Sequence, residues 1–549
     1  MRLRPQLPQD ERESARSEGR LAGASERLFV GLPVRKNNKG SNRAMSKKHI
    51  IKSAGIIGFA TVISRILGFV RDILIARFFG TARYAEAFVV AFRIPNMLRD
   101  LVGEGATNAA FVPVLSEYMV KKKEEFWELA NVILNLLLIT LSAITIAGIF
   151  ASPWIVRFMA PGFLDDPEKF AITVRLTRFM FPYILLIGLA AYTMGVLNSL
   201  KHFSAPAFGP CFLNIAIIIC AIIWGESVMG LASGVLIGGV LQLAIQMPVL
   251  YRKGFRFSFT RKLNHPAAKK IGVLLLPRIL GSCVYQLNLF INTILASLSA
   301  IVGSGGVAAL YYANRIFQFP LAIFGIAIAQ AALPTMSREA LEKDPDNLKR
   351  TLSFSIRVIN FIIIPASIGL IVLAVPITRT LFERGKFDHY STLITANALM
   401  FYSIGLFSYS GIKILVSCFY SLQDTVSPVK IAIASLLLNI ALNAILMFPL
   451  RIGGLALAAS LSGIFNFAAL FFVLRKKIGS LDTRRISGSF LKALAASLAM
   501  AAVIYFCAFK ISLNLFIVIL VAILSYIAAA FIFRVKEAKE LLSWVLKKK

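Results

Sequence analysis

Arginines inside apolar segments are the residues of this chain that are best suited to bind a ligand. "RILGFVRD" begins at Arg65 and "RIPNMLRD" begins at Arg93, so two apolar segments share the form R-x5-R-D. A charge inside a membrane is costly unless it is paired or faces water, so such residues usually line a cavity or a bundle interior. Arginine also presents a planar fork of donors that suits phosphate oxygens. Cationic groups outnumber acidic ones here, so the pattern predicts a site for an anionic ligand.

These cationic residues fall into two groups. The predicted ligand-binding residues are Arg65, Arg71, Arg99 and Arg315. Arg77 and Arg93 are instead expected to pair with nearby carboxylates or to extend to the membrane interface. Positions six apart lie about 120° apart on a straight helix. Arg65 and Arg71 therefore share a narrow face only if the helix bends, and Gly68 lies between them, where a bend could form.

Apolar blocks of roughly 20 residues must position these charges, and that length matches the hydrocarbon core of a membrane. The chain has 549 residues, of which 57% are hydrophobic and 16% are charged. Amphipathic covering helices, which a large soluble core would need, are almost absent. We therefore predict an all-α polytopic membrane protein with about fourteen spans. They lie near 51–77, 84–105, 129–153, 176–200, 206–225, 228–250, 271–298, 306–333, 350–376, 392–422, 428–448, 453–474, 489–509 and 513–534.

Basic loops give the orientation of these spans. The basic loops that fall on one side of the membrane are 121–126, 251–270, 475–485 and 547–549. Loops on the other side, such as 225–227, 299–306 and 449–454, are poor in basic residues. By the positive-inside rule, both termini are cytoplasmic. The net charge of +33 therefore reflects topology, and we do not expect nucleic-acid binding.

An internal duplication organises the chain. "RILG" at 65–68 returns at 278–281, "LNIA" at 213–216 returns at 438–441, and the other matches keep the same order. Each copy has six spans, so both copies enter the membrane in one orientation, as in alternating-access transporters. The predicted parts are a disordered basic tail or start extension at 1–44, an N-lobe at 45–250, a basic cytoplasmic linker at 251–270, a C-lobe at 271–475, spans 13 and 14 at 486–534, and a basic cytoplasmic tail at 535–549.

Cysteines and histidines show no pattern of a metal site, a disulfide framework or a catalytic triad. The cysteines lie in apolar segments and are expected to be packing residues: Cys211, Cys220, Cys283, Cys418 and Cys507. The histidines lie in loops or at segment ends: His49, His202, His265 and His389. We interpret the compact mixed cluster at 383–391 as a solvated connection.

Several motifs together resemble one known family. They are "SRILGFVRDILIARFFG" (64–80), "AFVVAFRIPNMLRDLVGEGATNAAFVPVLSEY" (87–118), "APGF" (160–163), "QLNLFINTILAS" (286–297) and "YYANRIFQFPLAIFGIAIAQAALP" (311–334). The chain resembles the MurJ (MviN) lipid II flippases of the multidrug/oligosaccharidyl-lipid/polysaccharide exporter superfamily, over essentially all of 45–549.

The resemblance implies a transporter of the bacterial inner membrane rather than an enzyme. Two six-helix lobes would surround a central cationic cavity that binds lipid II, the undecaprenyl-pyrophosphate-linked peptidoglycan precursor. Alternating access would carry it from the cytoplasmic to the outer leaflet, while spans 13 and 14 form a groove for the polyprenyl tail. Lipid II, membrane lipids and cell-wall synthesis machinery are the implied partners.

Individual roles follow from the same resemblance. The family's essential arginines fall on the four predicted ligand-binding arginines, with Ser64 beside Arg65 and a family acidic position at Glu86. Asn314 and Gln318 stand where members of the family carry acids. No cofactor is expected.

The energy source is left open between the membrane potential and a monovalent cation. Asp424 and Asn292 are the candidates for cation coupling. Asp424 is alternatively a cap of the helix that follows it.

Alternative functions remain beside this one. The nearest is a flippase for another polyprenyl-linked oligosaccharide. A cation-coupled drug exporter would need an acidic cavity, which this chain lacks. A membrane-embedded polyprenyl-phosphate enzyme would need paired acids or histidines in sizeable loops, whereas the loops here are short.

Overall fold

The computed structural model describes the backbone of residues 39–99, 111–260, 265–342, 344–511 and 513–540, and side chains in these ranges except at 39–54, 98 and 274–285. The helices of the first half are α1 (Lys39–Phe79), α2 (Arg83–Arg99), α3 (Val112–Lys121), α4 (Lys123–Met159), α5 (Pro167–Met180), α6 (Tyr183–Ser199), α7 (Ser204–Trp224), α8 (Val228–Ala244) and α9 (Met247–Arg252). Those of the second half are α10 (Pro266–Ser297), α11 (Ser299–Val302), α12 (Gly306–Pro320), α13 (Ala327–Leu341), α14 (Pro345–Val372), α15 (Ala374–Phe382), α16 (His389–Ile404), α17 (Leu406–Ser421), α18 (Val426–Leu450), α19 (Ile452–Ile478), α20 (Thr483–Tyr505) and α21 (Leu515–Ile532).

The predicted all-α membrane fold is confirmed, because the described part of the chain contains helices and turns and no strand. Ten helical stretches in it are long and apolar enough to cross a membrane, and the pair α16 and α17, bent by 45°, is an eleventh. The predicted spans at 51–77, 84–105 and 271–298 correspond to α1, α2 and α10, which lie outside that set. The number fourteen is therefore not confirmed by length and composition.

Large apolar side chains cover the outside of the helices. Phe150, Phe516 and Ile445 are 77%, 73% and 65% exposed. Such a continuous apolar surface would drive aggregation in water, but it suits contact with lipid tails. The exposed surface thus supports the same membrane assignment as the length of the helices.

Matching turns in the two sequence copies support the duplication. Lys201 follows α6 and Gln423 follows α17, and both have left-handed backbones, with φ of 59° and 58°. Gly225 after α7 and Arg451 after α18 share φ values of 50° and 51°. Residues other than glycine rarely adopt this conformation, so its recurrence at equivalent ends indicates one ancestral unit.

The last two helices pack on the second copy. The Tyr526 hydroxyl of α21 donates a hydrogen bond of 2.7 Å to the Phe361 carbonyl of α14. The segment that follows α21 packs there too, because Glu537, which is only 1% exposed, forms an ion pair with Arg357 of α14. The unduplicated pair is thus attached to the C-lobe by an apolar cluster and by buried polar contacts.

A core near the outer ends of the helices joins the two copies. The ring of Tyr312 in α12 lies 5.2 Å from the ring of Phe382 and 5.6 Å from that of Phe387, centroid to centroid. Its hydroxyl donates to the Gly80 carbonyl at 3.2 Å. This core holds α12, which carries Arg315, against the C-terminal part of α1.

Candidate functional site

Asp72 of α1 is the centre of a buried polar cluster between the two copies. Its carboxylate is fully buried. Oδ1 accepts from Nη2 of Arg71 at 2.8 Å and from Nε at 3.0 Å, while Oδ2 lies 2.6 Å from Nε of Arg315. One carboxylate thus holds two guanidinium groups, one from each copy. We call Asp72, Arg71, Arg315, Tyr311 and Asn214 the Asp72 cluster.

The other two members of the cluster fix Arg71. Its Nη1 donates to Oδ1 of Asn214 at 3.1 Å, and its Nη2 lies 3.1 Å from the hydroxyl of Tyr311. That hydroxyl also donates to Asp72 at 2.9 Å. The Arg71 side chain is only 9% exposed, compared with 32% for Arg315. Arg71 is therefore a fixed element, and Arg315 is the more accessible of the two arginines.

Gly68 leaves the space that Arg315 occupies. A methyl group on its α carbon would collide with Nη2 of Arg315 and would lie 3.6 Å from the amide group of Asn214. Gly68 is an ordinary part of the continuous helix α1 and has no left-handed backbone. The bend expected at Gly68 stays a prediction. Gly68 lets the guanidinium of α12 approach the backbone of α1.

Arg65 and Ser64 lie on the cytoplasmic side of the cluster. Arg65 precedes Asp72 by seven residues, which is about 10 Å along a helix. It is exposed and has no hydrogen bond or ion pair within the described residues. Ser64 is connected to the cluster through Asn214, whose Nδ2 donates to the Ser64 carbonyl at 3.1 Å. The structure therefore joins Ser64 to the site and leaves Arg65 exposed beside it.

Glu86 occupies a different place from the arginines. One of its carboxylate oxygens forms an ion pair with Lys169, and the other accepts from the backbone N–H of Val307 at 2.9 Å. Val307 lies in the first turn of α12, where a carboxylate is favoured by the helix dipole. The Glu86 side chain is 4% exposed. It links α2, α5 and the start of α12 and is not in contact with the Asp72 cluster.

The arginines of the R-x5-R-D motif in α2 take different places, and Arg93 borders the Asp72 cluster at Tyr311. Arg99 is half-buried at the end of α2, directly before residues 100–110, which lie outside the described part. Arg93 lines a small cavity of about 30 Å³ together with Asn292, Asn314 and Tyr311. Arg278, paired with Arg65 by the repeat, lies among the side chains that the structure does not describe.

Asn292 belongs to an amide network in the C-lobe. Its Oδ1 accepts from Asn443 at 3.0 Å, and its Nδ2 donates to Asn288 at 3.0 Å. Asn443 also donates to Asn439 at 2.9 Å, and both are fully buried. Asn439 is the repeat equivalent of Asn214, so the same position of the fifth span holds a polar network in each copy.

Asp424 lies at the cytoplasmic start of α18. It accepts from the backbone N–H of Ser427 at 3.0 Å and pairs with Lys477 at 2.7 Å. The Lys477 ammonium group, followed by the Ser427 backbone N–H, lowers the pKa of the Asp424 carboxyl below its ordinary value. These are the contacts of a helix cap, the role that we named as the alternative to cation coupling for Asp424.

Polar contacts between the copies continue at the outer ends of the helices, in what we call the outer seam (77–86, 297–312 and 386–391). The Thr81 and Ser391 hydroxyls are 2.7 Å apart, and the Lys386 N–H donates to the Arg77 carbonyl at 2.8 Å. Gly80, with φ of 57°, allows this approach, because a side chain there would strike the Lys386 carbonyl. The described outer ends are thus closed against each other.

Comparison with models of protein families shows to which family this chain belongs. The model of the lipid II flippase MurJ family matches residues 75–527. This chain belongs to the MurJ family.

Curated MurJ relatives cover most of the chain. The probable lipid II flippase MurJ of Buchnera aphidicola subsp. Acyrthosiphon pisum is 38% identical over 79% of this chain and 86% of its own length. The lipid II flippase MurJ of Burkholderia cenocepacia is 36% identical over 82% of this chain and 89% of its own length.

Solved structures show the same fold. A lipid II flippase MurJ in an inward closed conformation has a TM-score of 0.76 at 29% identity, covering 87% of this chain and 98% of its own. An inward-facing multidrug resistance MATE family transporter of the MOP superfamily has a TM-score of 0.66 at 16% identity, covering 76% of this chain and 96% of its own. The chain therefore shares its fold with the solved MurJ and MATE structures. As a member of the MurJ family of flippases, it is a transporter and a multi-pass protein of the bacterial inner membrane.

Three cluster residues of this MurJ-family chain are not recognisable as site residues from the motifs alone. The sequence offers Asp72 only as a pairing partner, and it does not single out Asn214 or Tyr311. The repeated "LNIA" motif contains Asn214, so the duplication carries a signal for it. Tyr311 stands one helical turn before Arg315, and a hydroxyl at that spacing shares a face with the arginine.

Proposed function

We propose that this chain is a lipid II flippase, which moves lipid II from the cytoplasmic to the outer leaflet and binds the pyrophosphate between its two lobes. Membership of the MurJ family supports the substrate. The observation that carries the site is the convergence of Arg71 and Arg315, one from each lobe, on the single carboxylate of Asp72. Two guanidinium forks around one carboxylate keep an excess of positive charge.

In the proposed mechanism, the pyrophosphate competes with Asp72 for Arg315. Arg315 is one-third exposed, so its donors can reorient toward a phosphate without disturbing Arg71, which Asn214 and Tyr311 hold. Charge-assisted bidentate bonds favour a doubly charged pyrophosphate over one carboxylate. Because Arg315 and Asp72 belong to different lobes, the exchange removes an ion pair that joins the lobes near the outer seam.

Opening of the outer seam then completes the transport step. Once the Arg315–Asp72 pair is lost, only the contacts around Glu86 and Thr81 still keep the outer side closed. When these contacts break, rocking of the lobes exposes the head group to the outer side. We propose that a central cationic cavity open to the cytoplasm precedes this state, with Arg65, Arg99 and Ser64 on the path to the Asp72 cluster. The polyprenyl tail stays in lipid beside α20 and α21.

Energy coupling is part of the proposal. The membrane potential acts on bound charge with about 2.3 kcal/mol per charge per 100 mV. A monovalent cation is the second source, and the amide oxygens of the Asn292 network supply neutral ligands for it. Enzymes of cell-wall synthesis, which consume lipid II on the outer side, are the proposed partners.

Depletion of the protein in cells tests the function. Lipid II is measured on each leaflet after depletion and after complementation by Arg71→Ala, Arg315→Ala or Arg65→Lys, with Arg338→Ala as an exposed control. We expect lipid II to remain inside with the two alanine variants at normal expression, and the lysine variant to be impaired because a bidentate fork is removed. Normal lipid II translocation on depletion, with another lipid-linked glycan accumulating, would instead indicate a different polyprenyl-linked substrate.

A further inference from the structure

A groove on the outside of the N-lobe lies away from the Asp72 cluster. It has a volume of about 640 Å³ and is formed by α4, α5 and α8. Its walls are mostly apolar, and two arginines lie among them. The lining residues are Pro153, Phe170, Ala171, Val174, Arg175, Arg178, Phe179 and Met229.

The two arginines share one face of α5, because residues three apart are neighbours on a helix. Arg175 and Arg178 are both exposed, and neither has a hydrogen bond or ion pair within the described part of the chain. Arg83 provides the contrast, since it pairs with Asp166 at 3.0 Å and also with Glu168. Asp166 and Glu168 are thus engaged by Arg83, and the described lining of the groove contains two positive charges and no acidic residue.

The groove lies at the depth of the lipid head groups of the outer leaflet. Met229 stands one residue after the start of α8, which follows the outer loop 225–227. Trp154 and Phe158, near the outer end of α4, are 71% and 69% exposed, as expected for an aromatic belt at the membrane interface. Arg157 stacks on the Trp154 ring at 5.9 Å. The groove therefore opens where phosphate groups of the outer leaflet lie.

We propose that this groove binds an anionic phospholipid of the outer leaflet. Arg175 and Arg178 bind the phosphate of the head group, since the guanidinium fork matches phosphate oxygens. An acyl chain lies along Phe170, Val174 and Phe179, which form an apolar wall directly beside the arginines. The bound lipid contacts three helices of the N-lobe and none of the residues of the Asp72 cluster.

Native mass spectrometry of the full-length protein tests this site. The protein is titrated with phosphatidylglycerol, with phosphatidylcholine of the same acyl chains, and with inorganic phosphate as a competitor. The test variant is Arg175→Gln/Arg178→Gln. The matched control is Arg384→Gln/Arg451→Gln, which removes two positive charges on the same side of the membrane but outside the groove. A third variant, Arg175→Lys/Arg178→Lys, keeps the charge and removes the fork.

We expect the first phosphatidylglycerol to bind about tenfold more weakly to the glutamine variant, which corresponds to about 1.4 kcal/mol. The control should bind like the parent protein, and the lysine variant should lie between the two. Unchanged phosphatidylglycerol affinity in the glutamine variant would overturn the proposal, as would equal affinity of the parent protein for phosphatidylcholine. Displacement of the lipid by inorganic phosphate at millimolar concentration would show a site for free phosphate instead.

Discussion

Replacing Gly68 by alanine tests how the site is built, because it moves Arg315 without touching any charged residue. The new methyl group would occupy the position of Nη2 of Arg315, the far end of a flexible side chain. We therefore expect the guanidinium to swing away from Asp72 while the helices stay in place.

The expected free-energy changes show that Gly68→Ala affects lipid II binding more than folding stability. A glycine to alanine change inside a helix stabilises it by about 0.5–1 kcal/mol. Breaking the Arg315–Asp72 ion pair costs about 1.5–3 kcal/mol, and the lower value applies because the Arg315 side chain is 32% exposed and returns to water. The net change in unfolding free energy is about 1 kcal/mol. The swing also takes the Arg315 guanidinium out of the space between the lobes where the phosphate binds, which outweighs the loss of competition from Asp72. Losing this bidentate bond costs about 1.5–3 kcal/mol of binding free energy, so lipid II binds roughly 10- to 100-fold more weakly.

Gly58→Ala on the same helix is the matched control, because nothing lies within 4 Å of its would-be methyl group. Thermal melting and the dissociation constant for lipid II are measured for both variants in the same detergent. The melting temperature of Gly68→Ala should stay close to the parent value while its lipid II affinity falls. Parental affinity of Gly68→Ala, or an equal fall in affinity for Gly58→Ala, would refute the placement of Arg315.

Two further perturbations address other contacts. Asp72→Asn leaves Arg71 buried without a counter-charge, so we expect the free energy of unfolding to fall by about 3–5 kcal/mol. The protein should then accumulate poorly in membranes. Normal accumulation and melting would contradict the contacts of the Asp72 cluster. Asp424→Asn keeps the helix cap, because the amide oxygen of asparagine also accepts from the Ser427 N–H, but it removes the ion pair with Lys477. We expect a loss of up to about 1 kcal/mol, seen as a slightly lower melting temperature with unchanged lipid II affinity. Because the pKa of Asp424 is lowered in the folded protein, its contribution is present above the ordinary carboxyl pKa and is lost as the pH falls through the lowered value. Melting of the parent protein should therefore approach that of Asp424→Asn on acidification, and a constant difference between the two would argue against the ion pair with Lys477.

The membrane fold is predictable because its signal is local. Runs of apolar residues as long as the hydrocarbon core are visible without any tertiary information, and the repeat adds the order of the lobes. The bend between α16 and α17 is not predictable in this way, since 392–422 reads as one span and contains two glycines, Gly405 at the break and Gly411 inside α17. Spans 1, 2 and 7 are the ones that length and composition do not confirm, and the first two carry the R-x5-R-D motifs.

The site is predictable only in part, because its assembly depends on which helix faces meet. Arg71 and Arg315 are 244 positions apart and converge, whereas Arg65, only six positions from Arg71, does not join them. Glu86 shows the same limit. Its charge type is visible in the sequence, but its use at the start of α12 depends on Lys169 and Val307, which carry no sequence signal for this contact.

Transport of lipid II by purified protein in liposomes tests the central claim most directly. Fluorescent lipid II is followed from one leaflet to the other for the parent protein, Arg71→Ala, Arg315→Ala and the exposed control Arg338→Ala at equal reconstitution. We expect parental rates for the control and no translocation above protein-free liposomes for the two cluster variants. Translocation at the parental rate by either cluster variant would contradict binding of the pyrophosphate between Arg71 and Arg315.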